Sequence, residues 1–228
     1  MKIKKIKFIP NILFKLYSRQ LIKSFPPYQP IFLNGKIKAG EGRNCFDRWQ
    51  MIKKEILDFN VKSVVDLGCA EGFYVIQASR ELGCFSLGID ADTRRLSVAH
   101  NQIISEEIMP AGFMLGYADL EIIEKLPKFD MIILMSVLHH IMYSRGKEYC
   151  REFVSRLRTK MEKIMIFEMG QSNEVKNEWA KKLPDMGNDP SKWIADFLIS
   201  CGFSKVVKIG ETDSYKKDKN RTIFRLEK

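Results

Sequence analysis

A glycine-containing turn and two aspartates are the first residues whose types and spacing indicate chemistry. The segment VVDLGCAEGFY, residues 64–74, runs from an apolar stretch through Gly68 and Gly72 into a helical pattern. Glycine lets the backbone turn tightly and approach a ligand without interference from a Cβ atom. A second apolar stretch ends in Asp90, twenty-four residues after Asp66. A carboxylate at that place accepts hydrogen bonds from both ribose hydroxyls, which indicates a nucleoside site.

The spacing inside the turn separates two classes of cofactor. Dinucleotide enzymes also place an acid at the end of the second strand, but they normally keep the fingerprint GxGxxG for pyrophosphate. The three fingerprint positions are occupied here by Gly68, Ala70 and Phe73. The turn therefore favours a cofactor without a pyrophosphate.

Two adjacent histidines, His139 and His140, follow the continuous apolar run at 129–135. Substrates enter open α/β folds at the carboxyl ends of parallel strands, and a histidine there deprotonates a hydroxyl or hydrogen-bonds to an anionic oxygen. We treat both as catalytic candidates. In the alternative interpretation, one packs in the fold and the other bonds to the backbone.

Candidate acceptor-binding residues lie upstream, around a proline- and glycine-rich connector that favours extended chain and turns over regular structure. Arg43 and Arg48 follow this connector, which we expect to fold over the cleft, and guanidinium groups bind phosphate bidentately. Tyr28 and Gln29 are expected to join them. A surface salt bridge is the alternative for each arginine.

These residues need elements that bring them together, and strands alternate with helices from residue 62 onward. Predicted strands span 62–67, 85–89, 112–116, 129–135, 163–169, 205–210 and 221–226, and predicted helices span 47–59, 72–82, 93–105, 146–160 and 190–201. The alternation implies parallel βαβ units, whereas the last turn is too short for a parallel crossover. We expect an α/β, Rossmann-like, doubly wound, mostly parallel seven-stranded sheet with an antiparallel C-terminal hairpin.

Charge divides the chain into two parts. Residues 1–38 contain nine Lys or Arg and no acid, which leaves 29 basic and 28 acidic residues in the remainder. We predict a basic amphipathic arm and connector at 1–42 and one domain at 43–228. The apolar stripe of the arm fits either an anionic membrane surface, contacted by residues 1–24, or the domain itself.

Five scattered cysteines and only three histidines indicate reduced thiols and no metal site. The first residues form no convincing signal peptide, because charges interrupt the apolar positions, and no apolar run is long enough to span a membrane. We expect a cytoplasmic protein, and peripheral contact with the inner face of the cell membrane is one of the two open roles of the arm.

Four sequence blocks in order, DLGCAEG, GIDAD, GYADL and FDMIILMSVLHHI, resemble the class I S-adenosylmethionine (SAM) methyltransferase superfamily over about residues 60–228. The resemblance implies SAM as cofactor. It implies that the turn cradles the methionine end, the second block holds the ribose, Asp119 meets the adenine amino group and Ser136 lies beside the sulfonium. The cofactor-binding residues it implies are Asp66, Gly68, Ala70, Gly72, Phe73, Asp90, Ala91, Asp119 and Ser136. Helix capping is the alternative role for the aspartates.

A finer resemblance is carried by SVLHHIMYSRG, WAKKLPDMGNDPSKWI, GETDSYKKDKNRTIF and the upstream PPYQPIFLNGKIKAGEGRNCFDRW. Together they resemble the methyltransferase part of bacterial O-antigen chain terminators, which cap a phosphate or sugar at the end of a lipid-linked polysaccharide. The kinase and coiled-coil portions of those proteins are absent from this sequence. The resemblance therefore implies only O-methylation of a glycan-like or phosphorylated acceptor.

Two other functions remain open from the sequence. The segment GEGRNCFDRW also resembles wobble-uridine tRNA-modifying enzymes, and a basic arm fits RNA, although the main domain has almost no basic excess. A non-catalytic binding protein with a degenerate methyltransferase fold is the second alternative. Ala70, where a second glycine is usual, is the one departure that favours it.

Overall fold

The computed structural model describes residues 27–33, 36–38, 45–214, 216 and 219–228. The predicted basic arm and Arg43 lie outside the described residues. The strands are β1 (Ile31–Leu33), β2 (Lys36–Lys38), β3 (Ser63–Leu67), β4 (Phe85–Asp90), β5 (Ala111–Leu115), β6 (Phe129–Met135), β7 (Met161–Glu168), β8 (Lys205–Asp213) and β9 (Asn220–Glu227). The helices are α1 (Cys45–Asp58), α2 (Phe73–Leu82), α3 (Thr93–Ser105), α4 (Leu120–Lys125), α5 (Leu138–Arg145), α6 (Lys147–Thr159) and α7 (Pro190–Ser200), and a 3-10 helix spans Glu178–Lys182.

The main sheet has seven strands in the order β5-β4-β3-β6-β7-β9-β8. Strands β3 to β7 are parallel to their neighbours, and β9 lies between β7 and β8, antiparallel to both. The predicted mostly parallel sheet with an antiparallel C-terminal hairpin is confirmed. Strands β3 and β6 lie side by side, with β4 and β5 added on one side and β7 on the other. The carboxyl ends of β3 and β6 therefore form the switch point where open α/β sheets bind ligands.

Alternating residues of the central strands pack on opposite faces of the sheet. Val65 and Leu67 belong to the core cluster shared with α4 to α7, whereas Val64 belongs to the cluster shared with α1 and α2. All three are fully buried, and burying one such side chain stabilises a fold by about 1.5–3 kcal/mol. The period of two along each strand therefore yields a sheet covered by helices on both faces.

Several short elements depart from the sequence prediction. The connector around 31–38, expected to lack regular structure, forms an antiparallel β1–β2 pair, in which Ile31 and Phe32 are buried against the domain. The helices α4 and α5 and the 3-10 helix were not predicted, because elements of five to eight residues hold too few positions for a clear period. Within the described residues, no helix has the length and apolar character needed to cross a membrane.

Candidate active site

The turn between β3 and α2 is built from residues in a left-handed backbone conformation. Gly68, Ala70 and Gly72 have φ angles of 78°, 50° and 80°. A Cβ atom on Gly68 would lie 2.3 Å from a methyl group of Val137, and one on Gly72 would lie 2.4 Å from the Phe113 ring. Glycine is therefore required twice, while Ala70 accepts a strained conformation.

The end of β4 holds this turn in place. The backbone N–H groups of Gly68 and Cys69 donate to the carbonyl of Ile89 over 2.7 and 3.1 Å. Asp90 accepts from the Ala70 N–H at Oδ2 and from the Asp92 N–H at Oδ1, each over 2.8 Å. Each carboxylate oxygen keeps a second lone pair for a ligand. The predicted ribose acid is therefore also a structural clamp on the turn.

Two adjoining cavities open at this edge of the sheet. The first, of about 330 Å³, is lined by Tyr28, Gln29, Cys45, Asp66, Gly68, Ala70, Tyr74, Asp90, Arg95, Met135, Ser136, Val137 and His140. The second, of about 610 Å³, is lined by Gly68, Asp90, Ala91, Gly116, Tyr117, Ala118, Asp119, Val137, His140, Ile141, Ser144, Arg145 and Tyr149. Gly68, Asp90, Val137 and His140 line both, so the two cavities form one cleft.

Asp66 lies at the floor of the first cavity with 2% of its surface exposed. Its Oδ2 atom has no hydrogen-bond partner among the described residues. Burial, and to a smaller extent the charge of Asp90, raises the pKa of Asp66 to about 8. An unsatisfied buried carboxyl oxygen is costly, and a ligand ammonium, such as the methionine part of SAM carries, would satisfy it.

The second cavity has the lining expected of an adenosine pocket, with Ala91 and Asp119 among its walls. Asp119 also accepts a hydrogen bond from the Ile122 N–H at 2.9 Å and so caps α4. The capping alternative for this residue is present, and it leaves the second carboxyl oxygen of Asp119 for a ligand. Gly72 and Phe73 line neither cavity. The Phe73 ring is packed against Phe32 in the core, and Gly72 lies against Phe113 and Ala99.

Ser136 is hydrogen-bonded to a buried network of two arginines and two glutamates. Its hydroxyl donates to Glu168 over 2.6 Å, and Arg221 contacts the same Glu168 oxygen at 3.0 Å and binds Glu174 through two nitrogens at 2.7 and 2.8 Å. Arg48 lies 2.6 Å from the other oxygen of Glu168. Burial alone would lower the pKa of both guanidinium groups, but Glu168 raises both. Two cations and two anions thus fix Ser136, which has a φ of 61°.

This network changes the role assigned to Arg48. Its guanidinium is 1% exposed, donates to the Thr212 hydroxyl at 2.8 Å and lines neither cavity. Removing it from Glu168 to bind a phosphate would leave a buried carboxylate without one of its two cations. The structure places Arg48 behind the cleft wall, and we do not retain it as an acceptor-binding residue.

The two histidines occupy different environments. His139 is 2% exposed, and its Nδ1 accepts a hydrogen bond from the Gly170 N–H over 3.0 Å, with the Trp179 ring 4.3 Å away. His140 is exposed and lines both cavities. The contrast matches the alternative in which one histidine packs in the fold, and only His140 stays a candidate for contact with a substrate.

Tyr28 and Gln29 line the first cavity, and their contact with an acceptor stays a prediction. The Gln29 side-chain oxygen accepts the N–H of Phe73, the first residue of α2, over 3.0 Å, and the buried carboxylate of Glu71 lies in the same turn. In dinucleotide folds this helix N-terminus binds pyrophosphate. Here the Gln29 side-chain oxygen already accepts the first N–H of this helix, which removes a donor that a pyrophosphate would use.

Sequence reasoning missed Glu71 and Arg95 among the residues near the cleft. Glu71 is fully buried and pairs with Arg95, whose side chain is 25% exposed, over 2.6 Å. The sequence signal for Glu71 was an acidic residue inside a turn otherwise made of small residues. Its partner lies 24 positions away on α3, a distance that no local period links to the turn.

The raised pKa of Asp66 predicts a pH dependence of stability without cofactor. Between about pH 4, where an ordinary carboxyl titrates, and about pH 8, folded Asp66 holds a proton that the unfolded chain releases. The free energy of unfolding contributed by Asp66 therefore decreases as pH rises through this window. We expect Asp66→Asn, which cannot titrate, to gain stability relative to the native chain as pH rises, as measured by urea unfolding.

Asp130→Asn is the matched control, because Asp130 also lies on a strand but outside both cavities. Its stability relative to the native chain is expected to change less across the same window. A constant stability difference between Asp66→Asn and the native chain at all pH values would contradict the assignment.

Comparison with known proteins agrees with this geometry. A family described as methyltransferase domain matches residues 64–160. The O-antigen chain terminator bifunctional methyltransferase/kinase WbdD of Escherichia coli is 28% identical over 206 residues, covering 86% of this chain and 27% of that protein. The tRNA U34 carboxymethyltransferase of Desulfotalea psychrophila is 27% identical over 128 residues, covering 54% of this chain and 38% of that protein. The chain spans about a quarter of the length of the WbdD proteins it matches.

Solved structures show the same fold. A crystal structure of WbdD superposes with a TM-score of 0.77 at 22% identity, covering 92% of this chain and 46% of that one. The N-terminal domain of EvdMO1 with S-adenosylhomocysteine (SAH) bound superposes with a TM-score of 0.63 at 14% identity, covering 94% of this chain and 96% of that domain. Residues 64–160 therefore match a methyltransferase domain, and the described fold is that of WbdD and of the SAH-bound EvdMO1 domain.

Proposed function

We propose that this chain is a SAM-dependent methyltransferase that O-methylates a glycan-like or phosphorylated acceptor at the membrane surface. The observation that carries the proposal is the division of the cleft into two cavities joined at Gly68, Asp90, Val137 and His140. One has the lining expected for adenosine, and the other continues past the turn to Tyr28 and Gln29. The similarity to WbdD, named for O-antigen chain termination, supports the acceptor class.

The cofactor residues are assigned as follows. Asp90 and Ala91 hold the ribose, Asp119 faces the adenine, and Gly68 and Ala70 of the turn contact the methionine part. Asp66 receives the ammonium group, which matches its buried, unpartnered oxygen. SAM supplies an electrophilic methyl group on a sulfonium. The protein mainly has to align a nucleophile with that methyl group and exclude water.

The acceptor side of the cleft consists of Tyr28, Gln29 and His140. A hydroxyl nucleophile starts protonated, so His140, which is exposed at the junction of the cavities, is the base in that case. A phosphate oxygen is already anionic and needs positive charge more than a base. Arg43 stays a proposed acceptor contact on the basis of its sequence alone.

Methylation of tRNA is the second candidate, favoured by the similarity to the tRNA U34 carboxymethyltransferases. A protein that binds RNA neutralises several phosphates with basic side chains. The basic excess of this chain lies almost wholly in residues 1–38, and the remainder is nearly neutral. We therefore favour the glycan-like or phosphorylated acceptor.

The basic arm at residues 1–24 is proposed to contact anionic lipid. Lys and Arg near such a surface each contribute about 1 kcal/mol, and an apolar stripe adds burial in the headgroup region. A lipid-linked acceptor would then be presented to the cleft at the same surface.

Replacing Asp90 tests the cofactor assignment. We expect Asp90→Ala to weaken SAH binding by about 1–3 kcal/mol, because the ribose hydroxyls lose a charged acceptor and the turn loses its clamp. Isothermal titration calorimetry measures this change. The control Asp92→Ala removes a neighbouring carboxylate that caps α3 and lines neither cavity. Equal affinity of Asp90→Ala and the native protein would remove Asp90 from the site.

The acceptor is tested by incubating the protein and methyl-labelled SAM with fractionated cell extract. We expect label in lipid-linked glycan or phosphorylated saccharide, and lower incorporation with His140→Asn at unchanged SAH affinity if a hydroxyl is methylated. Label confined to RNA would favour the tRNA alternative. Label in neither fraction would contradict both.

The arm is tested by sedimentation with anionic liposomes. We expect the full chain to sediment and a form lacking the first 24 residues to remain in the supernatant, with less binding at high salt because charge attraction is screened. Neutral liposomes serve as the control. Equal sedimentation of both forms would refute membrane contact through the arm.

A further inference from the structure

A short segment before the domain, residues 28–32, is tied to the glycine turn by a single buried carboxylate. Glu71 Oε1 accepts the backbone N–H of Tyr28 over 2.9 Å, and Oε2 accepts that of Gln29 over 3.1 Å. Arg95 donates to Oε1 over 2.6 Å. Glu71 is 0% exposed, so its charge is compensated only by what surrounds it. We call residues 28–32 the clasp segment.

Further contacts fix the clasp segment along its length. The Phe32 N–H donates to the side-chain oxygen of Gln102 over 2.8 Å, and the Gln102 amide donates to the Glu71 carbonyl, also over 2.8 Å. The Phe32 ring stacks on that of Phe73 with centroids 5.9 Å apart. The side chain of Glu71 lines neither cavity, whereas Tyr28 and Gln29 at the start of the segment do line the first. The carboxylate thus acts on the cleft through other residues.

We propose that Glu71 is a positioning residue that latches the clasp segment to the glycine turn as a wall of the first cavity, and that this latch slows cofactor release. The latch itself follows from contacts of the described residues. Its effect on release rests on the cofactor site assigned above. The segment lines the first cavity beside the turn proposed to contact the methionine part, so loosening this wall widens the cleft and speeds release of the cofactor.

The chemistry of the latch requires a carboxylate. Two backbone N–H groups and one guanidinium converge on Glu71, and all three are donors. A glutamine of the same shape offers one acceptor oxygen and one NH2 group, so one donor faces another donor and the charge that pairs with Arg95 is lost. Glu71→Gln therefore weakens the latch with little change in volume.

The test measures hydrogen exchange of the Tyr28 and Gln29 amides by NMR in the full chain without cofactor, and SAH dissociation by stopped flow. In Glu71→Gln we expect exchange at these amides to be at least about tenfold faster, with Val65 in the central strand unchanged. We expect SAH to dissociate several-fold faster. Glu55→Gln is the matched control, since Glu55 is also a buried carboxylate paired with an arginine, Arg225, but lies outside the cleft.

Equal exchange at Tyr28 and Gln29 in Glu71→Gln and Glu55→Gln would overturn the latch. Faster exchange with unchanged SAH dissociation would overturn its effect on release. If the native chain does not bind SAH, the cofactor site fails, while the exchange data still judge the latch. Should Glu71→Gln fail to fold, Arg95→Gln is expected to speed exchange at the same amides and Arg95→Lys to restore protection. Identical exchange in those two variants would overturn the proposal.

Discussion

The site depends on the hydrogen bonds that join the end of β4 to the turn after β3. The turn contains three alternate left-handed positions, Gly68, Ala70 and Gly72, and this backbone conformation is unfavourable for alanine. Asp90 and the Ile89 carbonyl hold it by accepting its N–H groups. The same aspartate faces both cavities. The residue proposed to bind the ribose thus also fixes the geometry of the turn.

Charge is distributed unequally around the cleft. Asp66 and Asp90 lie on the proposed cofactor side, where the sulfonium and ammonium groups of SAM bring positive charge. The buried arginines behind Ser136 are neutralised by Glu168 and by the second glutamate of their network. They stabilise the position of the Ser136 hydroxyl and contribute little net field to the cleft. This distribution suits a cationic cofactor, and in the proposed function the acceptor is recognised at the outer wall formed by Tyr28, Gln29 and His140.

The cleft has a proposed cofactor side and an outer wall, and this division gives a physical basis for the likeness to proteins of different function. The sheet and the glycine turn form the proposed cofactor side of the cleft, and the fold superposes on WbdD over 92% of the chain. The outer wall, made of Tyr28, Gln29 and His140, comes from the segment before the domain and from the short helix α5. Substrate choice on a common fold resides in such added segments. Relatives named for O-antigen chain termination and for tRNA U34 carboxymethylation are consistent with that separation.

The sequence by itself determined the sheet, its strand directions and the cofactor edge, because periods of two and 3.6 and the glycine turn are local properties of the chain. It also brought Asp66, Asp90, Ser136 and Tyr28 to one cleft, since strand ends and flanking segments meet there. Only the tertiary structure decided which of two equivalent residues faces the cleft. His139 and His140 are adjacent, and packing against Trp179 buries the first. Arg48 and Glu71 likewise bind partners far along the chain, Glu168 and Arg95, and such pairings depend on distances that no local pattern encodes.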